Sequence, residues 1–375
     1  MQTRYYDNIS DKLKDYFAVL SPEFPEWLHE YIDTPEMQRI GNISMDCGCD
    51  YTDLFPKHPW HSNLDHSVGV ALIIWHFTKD KKQTLAGLFH DIATPVFKHC
   101  IDFMNGDYEH QESTEERTKL IIQNSNAIMS LLARDQITLE EVSDYKIYPI
   151  ADNDSPKLAA DRFEYNFCCG YIIHPIWTLD DLRECYNDVT ILKNEDGIPE
   201  LGFKHLKIAE KYIHILRNLW PWWINDEERT SMQFFSDMCA SMNNLGYLSI
   251  DDLYTLPENE VVKKFKTCGN PYLEESFKKF ENATKCYRTN APVSGKYCVN
   301  IKGKRRYVNP LVQENNLFGR VYDLSKQAQK DIDDYMKIPI DGYTYLDFEF
   351  MPIKPKKEKN FYQTINKRLL KNHCF

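Results

Sequence analysis

The chain has 375 residues, 42% of them hydrophobic and 13% aromatic, and a formal net charge of −11. That length holds one large domain or a main domain with appendages, and the apolar content is enough for a substantial core. The acidic balance excludes a nonspecific duplex nucleic-acid coat, which needs a basic surface, but leaves room for nucleotides, which need only a local basic pocket.

The 11 cysteines are scattered without a CxxC pair, and no signal peptide is read. We expect reduced thiols in a cytoplasmic protein. The longest apolar run, Val68–Trp75, is too short to span a bilayer and is broken by His76, so no membrane partner is expected.

In chain order, Asp11–Leu20 is amphipathic, and Ser21-Pro22-Glu23-Phe24-Pro25 ends it. Asp33-Thr34-Pro35-Glu36 reads as a helix start, with Asp or Thr as cap and proline in the first turn. Residues 44–65 read as a loop rich in aromatics and histidine. Asp65 is a candidate cap for a buried helix over His66–Lys79. A further apolar helix ends in His90-Asp91, and Pro95 bars its continuation. Ser113-Thr114-Glu115-Glu116 is a capping box opening a helix to about Ala133, and Thr138–Glu141 is a second box. Lys157–Gly170 is predicted helical. Val189–Leu192 and Ile198–Phe203 flank the turn Asn194–Gly197 as a hairpin. His205–Trp220 and Glu227–Leu245 are predicted long helices, with Trp220-Pro221-Trp222-Trp223 packing between them. Beyond about residue 285, Lys296–Ile301 and Arg305–Val308 read as a hairpin around the basic turn Lys302-Gly303-Lys304. That turn and a lysine-rich tail from Lys354 to Lys371 read as solvated surface.

A divalent ion that keeps a position open for water needs three or four ligands. His66, the doublet His90-Asp91 and Asp161 sit on separate predicted helices, as when a helical bundle supplies one inward ligand per helix. Adjacent residues point about 100° apart on a helix, yet at its end they can converge on an ion placed off the tip. Asp161 lies beside Ala159 and Ala160, where a carboxylate needs a reason to be buried.

Leu64-Asp65-His66-Ser67-Val68-Gly69-Val70, Gly87-Leu88-Phe89-His90-Asp91-Ile92 and Ala160-Asp161-Arg162-Phe163-Glu164-Tyr165 together resemble the H…HD…D pattern of HD-domain metal-dependent phosphohydrolases. The resemblance is closest to the deoxynucleoside triphosphate triphosphohydrolase branch. It takes in Asp33-Thr34-Pro35-Glu36-Met37-Gln38-Arg39, Pro95-Val96-Phe97-Lys98-His99 and Glu109-His110-Gln111-Glu112, and covers about residues 30–170. It implies a mainly α, HD-type helical fold with minor β-hairpins, which we expect over residues 1–285; the change of sequence texture after about residue 285 marks a small mixed extension over 286–375. It implies that His66, His90, Asp91 and Asp161 bind a divalent metal (Mn, Mg, Fe, Co, Ni or Zn). It makes His110 and Asp102 a catalytic dyad and puts His99, Arg162 and Tyr165 on substrate phosphates or sugar. Asn63 stands at the substrate position where those enzymes carry an arginine, and Thr94 replaces a histidine.

The expected activity is therefore hydrolysis of a nucleotide, foremost a (deoxy)nucleoside triphosphate. The alternatives are an HD-fold phosphomonoesterase or phosphodiesterase, or a nucleotide-binding regulator that keeps the metal without turnover. The relatives implied by the resemblance commonly assemble, so a homo-oligomer is expected, with the C-terminal hairpin as its interface.

Overall fold

The computed structural model describes residues 4–109, 111 and 117–354. Helices make up 53% of it, so the fold is mainly α, with two small sheets. Among the described residues no helix is long and apolar enough to cross a membrane.

The helix Asn63–Thr78 is the axis of the fold. The Ser62 hydroxyl accepts from Asp65 N at 3.1 Å, and the Asp65 carboxylate accepts from Ser62 N at 2.8 Å. Asp65 is therefore the third residue of a capping box rather than the cap itself, and the helix begins earlier than the sequence predicted. Every residue from Asn63 to Ile74 is buried. A helix that is covered on all sides runs through a core rather than along its surface. Lys81–Phe89 folds back against it, started by Asp80, whose carboxylate accepts from Lys82 N and Gln83 N. The close approach requires Gly87, because a Cβ there would lie 2.2 Å from Ile74 Cδ1.

Asp11–Leu20 and Ala160–Cys168 complete the wall around this axis, with Tyr16, Phe163 and Phe167 fully buried in it. A second core forms around the 20-residue helix Asp226–Leu245. Val96, Phe97, Cys100 and Ile101 pack there with Phe234, Phe235 and Phe265. The segment Asp91–Cys100 thus links the two cores, and the candidate site lies along it.

One sheet runs β1 (Val189–Lys193), β2 (Pro199–Phe203), β5 (Leu311–Glu314), β6 (Leu317–Arg320), with β2 and β5 parallel. The other orders β3 (Cys286–Thr289) and β4 (Tyr297–Val299) on either side of β7 (Tyr343–Leu346), all antiparallel. The β1–β2 hairpin is the one expected around Asn194–Gly197. The hairpin expected over 296–308 does not form. β4 pairs with β7 instead, Tyr297 opposite Leu346, because β7 offers buried Thr344 and Leu346 on the core side.

Residues 300–310 run as an irregular strap between the two sheets. Arg229 Nη1 holds Ile301 O, Gly303 N donates to Ile340 O at 2.9 Å, and Arg305 Nη1 donates to Tyr335 O at 2.8 Å. Asn309 N then donates to Pro156 O at 2.7 Å. In the basic turn expected as solvated surface, Lys302 is exposed but Lys304 is half-buried; Arg305 and Arg306, expected in a strand, are half-buried in irregular backbone.

The helix expected from the Ser113 box to Ala133 is divided. Thr118–Asn124 ends at Ser125, whose hydroxyl accepts from Ile128 N and starts Asn126–Arg134. Thr138 and Glu141 make their hydrogen bonds, but only a turn follows. The Ser113 box itself and the tail beyond residue 354 lie outside the described residues.

Candidate active site

Four side chains from three helices meet at one point. His66 comes from the first turn of the axial helix, and His90 caps the end of Lys81–Phe89 with Asp91 next to it. Asp161 is the second residue of Ala160–Cys168. His66 Nε2 lies 3.2 Å from His90 Nε2 and 3.2 Å from Asp161 Oδ1. His90 Nε2 lies 3.7 Å from both Asp91 Oδ2 and Asp161 Oδ1. Donor atoms about 2.1 Å from a shared ion sit roughly 3.0 Å apart in octahedral and 3.4 Å apart in tetrahedral arrangement, so these separations suit a divalent metal.

The hydrogen bonds behind the ligands make the same point. His66 Nδ1 meets Glu164 Oε2 at 2.5 Å, and His90 Nδ1 meets the carbonyl of Gly87 at 2.7 Å. Each Nδ1 faces an acceptor and so carries the proton, as assigned from the network. Both Nε2 lone pairs then point at each other, an arrangement that a cation between them resolves. Burial depresses the pKa of His66, but Glu164, followed by Asp161, raises it to about 10. Burial works to raise Asp161, yet His66 and His90 bring it down to about 2. The cluster therefore demands positive charge at this point, and the residues present fit a metal ion.

Glu164 reaches His66 through a gap left by Gly69, where a Cβ would lie 2.5 Å from Glu164 Oε1. Tyr16 donates to the same oxygen at 3.0 Å. Gly69→Ala is expected to displace the carboxylate and weaken manganese binding about 10–100-fold, the usual effect of losing a carboxylate behind a histidine ligand. Calorimetric titration with manganese measures it, and an unchanged circular dichroism spectrum shows that the helix remains.

These four residues open onto a cavity of about 630 Å3. Tyr165 and Trp223 form one wall, with ring centroids 5.4 Å apart, and His174 stacks on Trp222 at 4.4 Å. His99 also lines the cavity; its Nδ1 lies 2.9 Å from Asp102 Oδ2, and Asp102 is fully buried. His99 Nε2 accepts from Arg306 Nη2 at 3.2 Å. Burial, opposed by Asp102 and helped by Arg306 and Lys98, lowers His99 to about 4. His99 is thus a neutral imidazole with its Nε2 lone pair turned to the cavity side.

The other predicted residues are placed as follows. Arg162 lines the cavity, but its donors hold one loop: Nε to Lys157 O at 2.8 Å, Nη1 to Asp152 Oδ1 at 3.0 Å and Nη2 to Asn153. Asn63 is fully buried and is not among the lining residues; its Oδ1 accepts from the Lys98 ammonium and its Nδ2 donates to Asp91 O at 3.5 Å. Asp102 pairs with His99, where the resemblance had it orient His110; His110 lies outside the described residues. Thr94 lines the cavity, and its carbonyl accepts from Arg39 at 2.8 Å. His58 and His61, in the histidine-rich loop, are not among the lining residues.

Three functional candidates were missed. Glu164 is a buried helical carboxylate three residues after Asp161, a spacing that was legible. Lys98 carried a weak signal, a lysine directly after apolar Val96-Phe97 and before His99. Arg306 carried none, because its approach depends on the course of the strap.

No protein-family model matches the chain. The chain is 26% identical over 138 residues, 37% of its length, to the metal-dependent phosphohydrolase cns2 of Cordyceps militaris. It is 25% identical over 220 residues to an uncharacterized protein of Mycoplasma genitalium. The matches span 39% and 51% of those two relatives' own lengths. Among solved structures, a hypothetical protein from Aquifex aeolicus superposes with a TM-score of 0.59 at 16% identity, over 86% of this chain and 93% of its own. A phosphohydrolase from Bacteroides thetaiotaomicron superposes with a TM-score of 0.59 at 12% identity, over 88% and 97%. The chain thus shares its fold with a solved phosphohydrolase and part of its sequence with a metal-dependent phosphohydrolase.

Proposed function

We propose that this chain is a metal-dependent phosphohydrolase acting on nucleotides, foremost (deoxy)nucleoside triphosphates. The observation that carries the reading is the convergence of His66, His90, Asp91 and Asp161, backed by Glu164 and open to a cavity large enough for a small ligand. His66, His90, Asp91 and Asp161 would hold the ion, which when bound supplies Lewis acidity at a phosphoryl oxygen and a more acidic water.

The chain's own residues do the rest. His99, neutral and aligned by Asp102, presents a lone pair that takes a proton from the attacking water. Arg306, now on that lone pair, is drawn off by an arriving phosphate, which it binds with charge-assisted hydrogen bonds. His110 remains the proposed donor to the leaving oxygen. Tyr165 and Trp223 offer ring faces to a sugar or base. Asp152, Asn153 and Lys157 absorb the donors of Arg162, which favours a second reading in which a simpler phosphate ester is the substrate.

The test is a panel of nucleoside mono-, di- and triphosphates and simple phosphate esters, each with Mn, Mg, Co, Ni and Fe. Released phosphate, pyrophosphate and triphosphate are followed, with elemental analysis of the purified protein. Triphosphate or phosphate release with one nucleotide class supports the first reading. Turnover of simple esters alone supports the second, and bound metal without turnover overturns both.

A further inference from the structure

Lysine is doubly disfavoured at position 98. The residue is only 7% exposed, and a buried ammonium needs partners. Its backbone sits at φ 46°, ψ −118°, directly after Phe97 at φ 64°. Two successive non-glycine residues at positive φ are strained, and such strain gathers at functional sites. The strained pair turns the lysine side chain into the cavity, while Phe97 anchors the second core against Phe235 at 4.4 Å.

The ammonium has three N–H groups. One serves Asn63 Oδ1, one lies 3.4 Å from Asp91 Oδ2, and one faces Met45 Sδ at 3.0 Å. Two of these acceptors are strong, whereas a thioether is a weak one. Asn63 Nδ2 in turn reaches Asp91 O at 3.5 Å, so Asn63 fixes the lysine beside the metal-ligand candidate.

We propose that Lys98 is a catalytic residue of this site, the N–H now turned to the Met45 sulfur being taken by a non-bridging oxygen of the scissile phosphate. The proposal rests on the phosphohydrolase reading above. Lys98 stays protonated throughout; water is consumed, one P–O bond forms and one breaks, and the ammonium balances charge on the phosphoryl oxygens. Lysine at 98 thereby supplies a cation that asparagine at 63 does not.

The test uses the manganese-loaded full chain and three variants, Lys98→Met, Lys98→Arg and Lys98→Gly. Inorganic phosphate binding is measured by calorimetry at saturating manganese, and kcat/KM on the best ester found. Lys98→Met is expected to weaken phosphate binding about 10-fold and lower kcat/KM about 10²-fold or more, with manganese affinity kept or raised. Lys98→Arg should recover part of the loss. Lys98→Gly, which suits the backbone, should melt no lower than wild type yet lose as much activity. Phosphate binding and kcat/KM within about twofold of wild type in Lys98→Met overturn the proposal, as does a loss that tracks lost manganese. A wild type that binds no phosphate and cleaves no ester overturns the parent reading along with it. An active wild type with an unaffected Lys98→Met removes Lys98 alone.

Discussion

Asp91→Ala is expected to lose most of its bound metal and about 10³-fold or more in phosphate release, because several kcal/mol of charge stabilisation leave with the ion. The fold should survive. Asp91 follows the end of Lys81–Phe89 and is half-buried, so no core packing goes with its carboxylate. A second effect adds to the first. Lys98 lies 3.4 Å from Asp91 Oδ2, and without that carboxylate its positive charge faces the metal position unbalanced. Elemental analysis after dialysis, paired with thermal melting, checks the result. Full metal content in Asp91→Ala would remove the residue from the ligand set.

His99→Gln is expected to lower turnover roughly 10²–10⁴-fold at unchanged metal content, the range of a lost general base. Asp102→Asn should fall in the same direction, because an amide no longer holds the proton on Nδ1. The pH dependence carries a sharper test. Burial is the first cause that lowers His99 to about 4, from an ordinary value near 6.5, with Arg306 and Lys98 adding to it against Asp102. A base works unprotonated, so activity is retained down to about pH 4 and lost below it, as far as His99 governs it. Arg306→Gln removes a positive neighbour, so the His99 pKa must rise and the acid limb move to higher pH. NMR titration of the His99 ring in both proteins reads this directly. A His99 pKa unmoved by Arg306→Gln would show that the guanidinium does not act on this imidazole.

The convergence of His66, His90, Asp91 and Asp161 was legible because they lie in three short motifs at the first turn or end of three helices, and helical ends and first turns are readable from capping and proline signals. Long elements such as Asp11–Leu20 and Asp226–Leu245 were legible for the same reason, their periodicity being strong. The His99–Asp102 pair is an i, i+3 contact within one turn and was there to be read, but the His110 reading took Asp102 first. What escaped was non-local. Nothing near residue 306 indicates that the chain passes His99, and the choice of β7 over residues 305–308 as the partner of β4 depends on a strand more than forty residues onward. Backbone strain at Phe97 and Lys98 is likewise invisible in a sequence that holds no glycine there.

The strap over residues 300–310 bears on how a protein of this fold can diverge. The metal-ligand candidates and Glu164 sit on helices locked by close contacts, Gly69 against Glu164 and Gly87 against Ile74, where almost any exchange meets a collision. Arg306 and Lys304 hang on irregular backbone fastened by Arg229, Gly303 and Arg305 at points set away from their own side chains. Exchanging residue 304 therefore leaves the metal-ligand candidates in place while altering the cavity lining, whereas exchanging 306 also changes the surroundings of His99. On the proposed function, substrate preference would be free to drift through codons of a connecting segment while the helices that carry the metal-ligand candidates stay fixed.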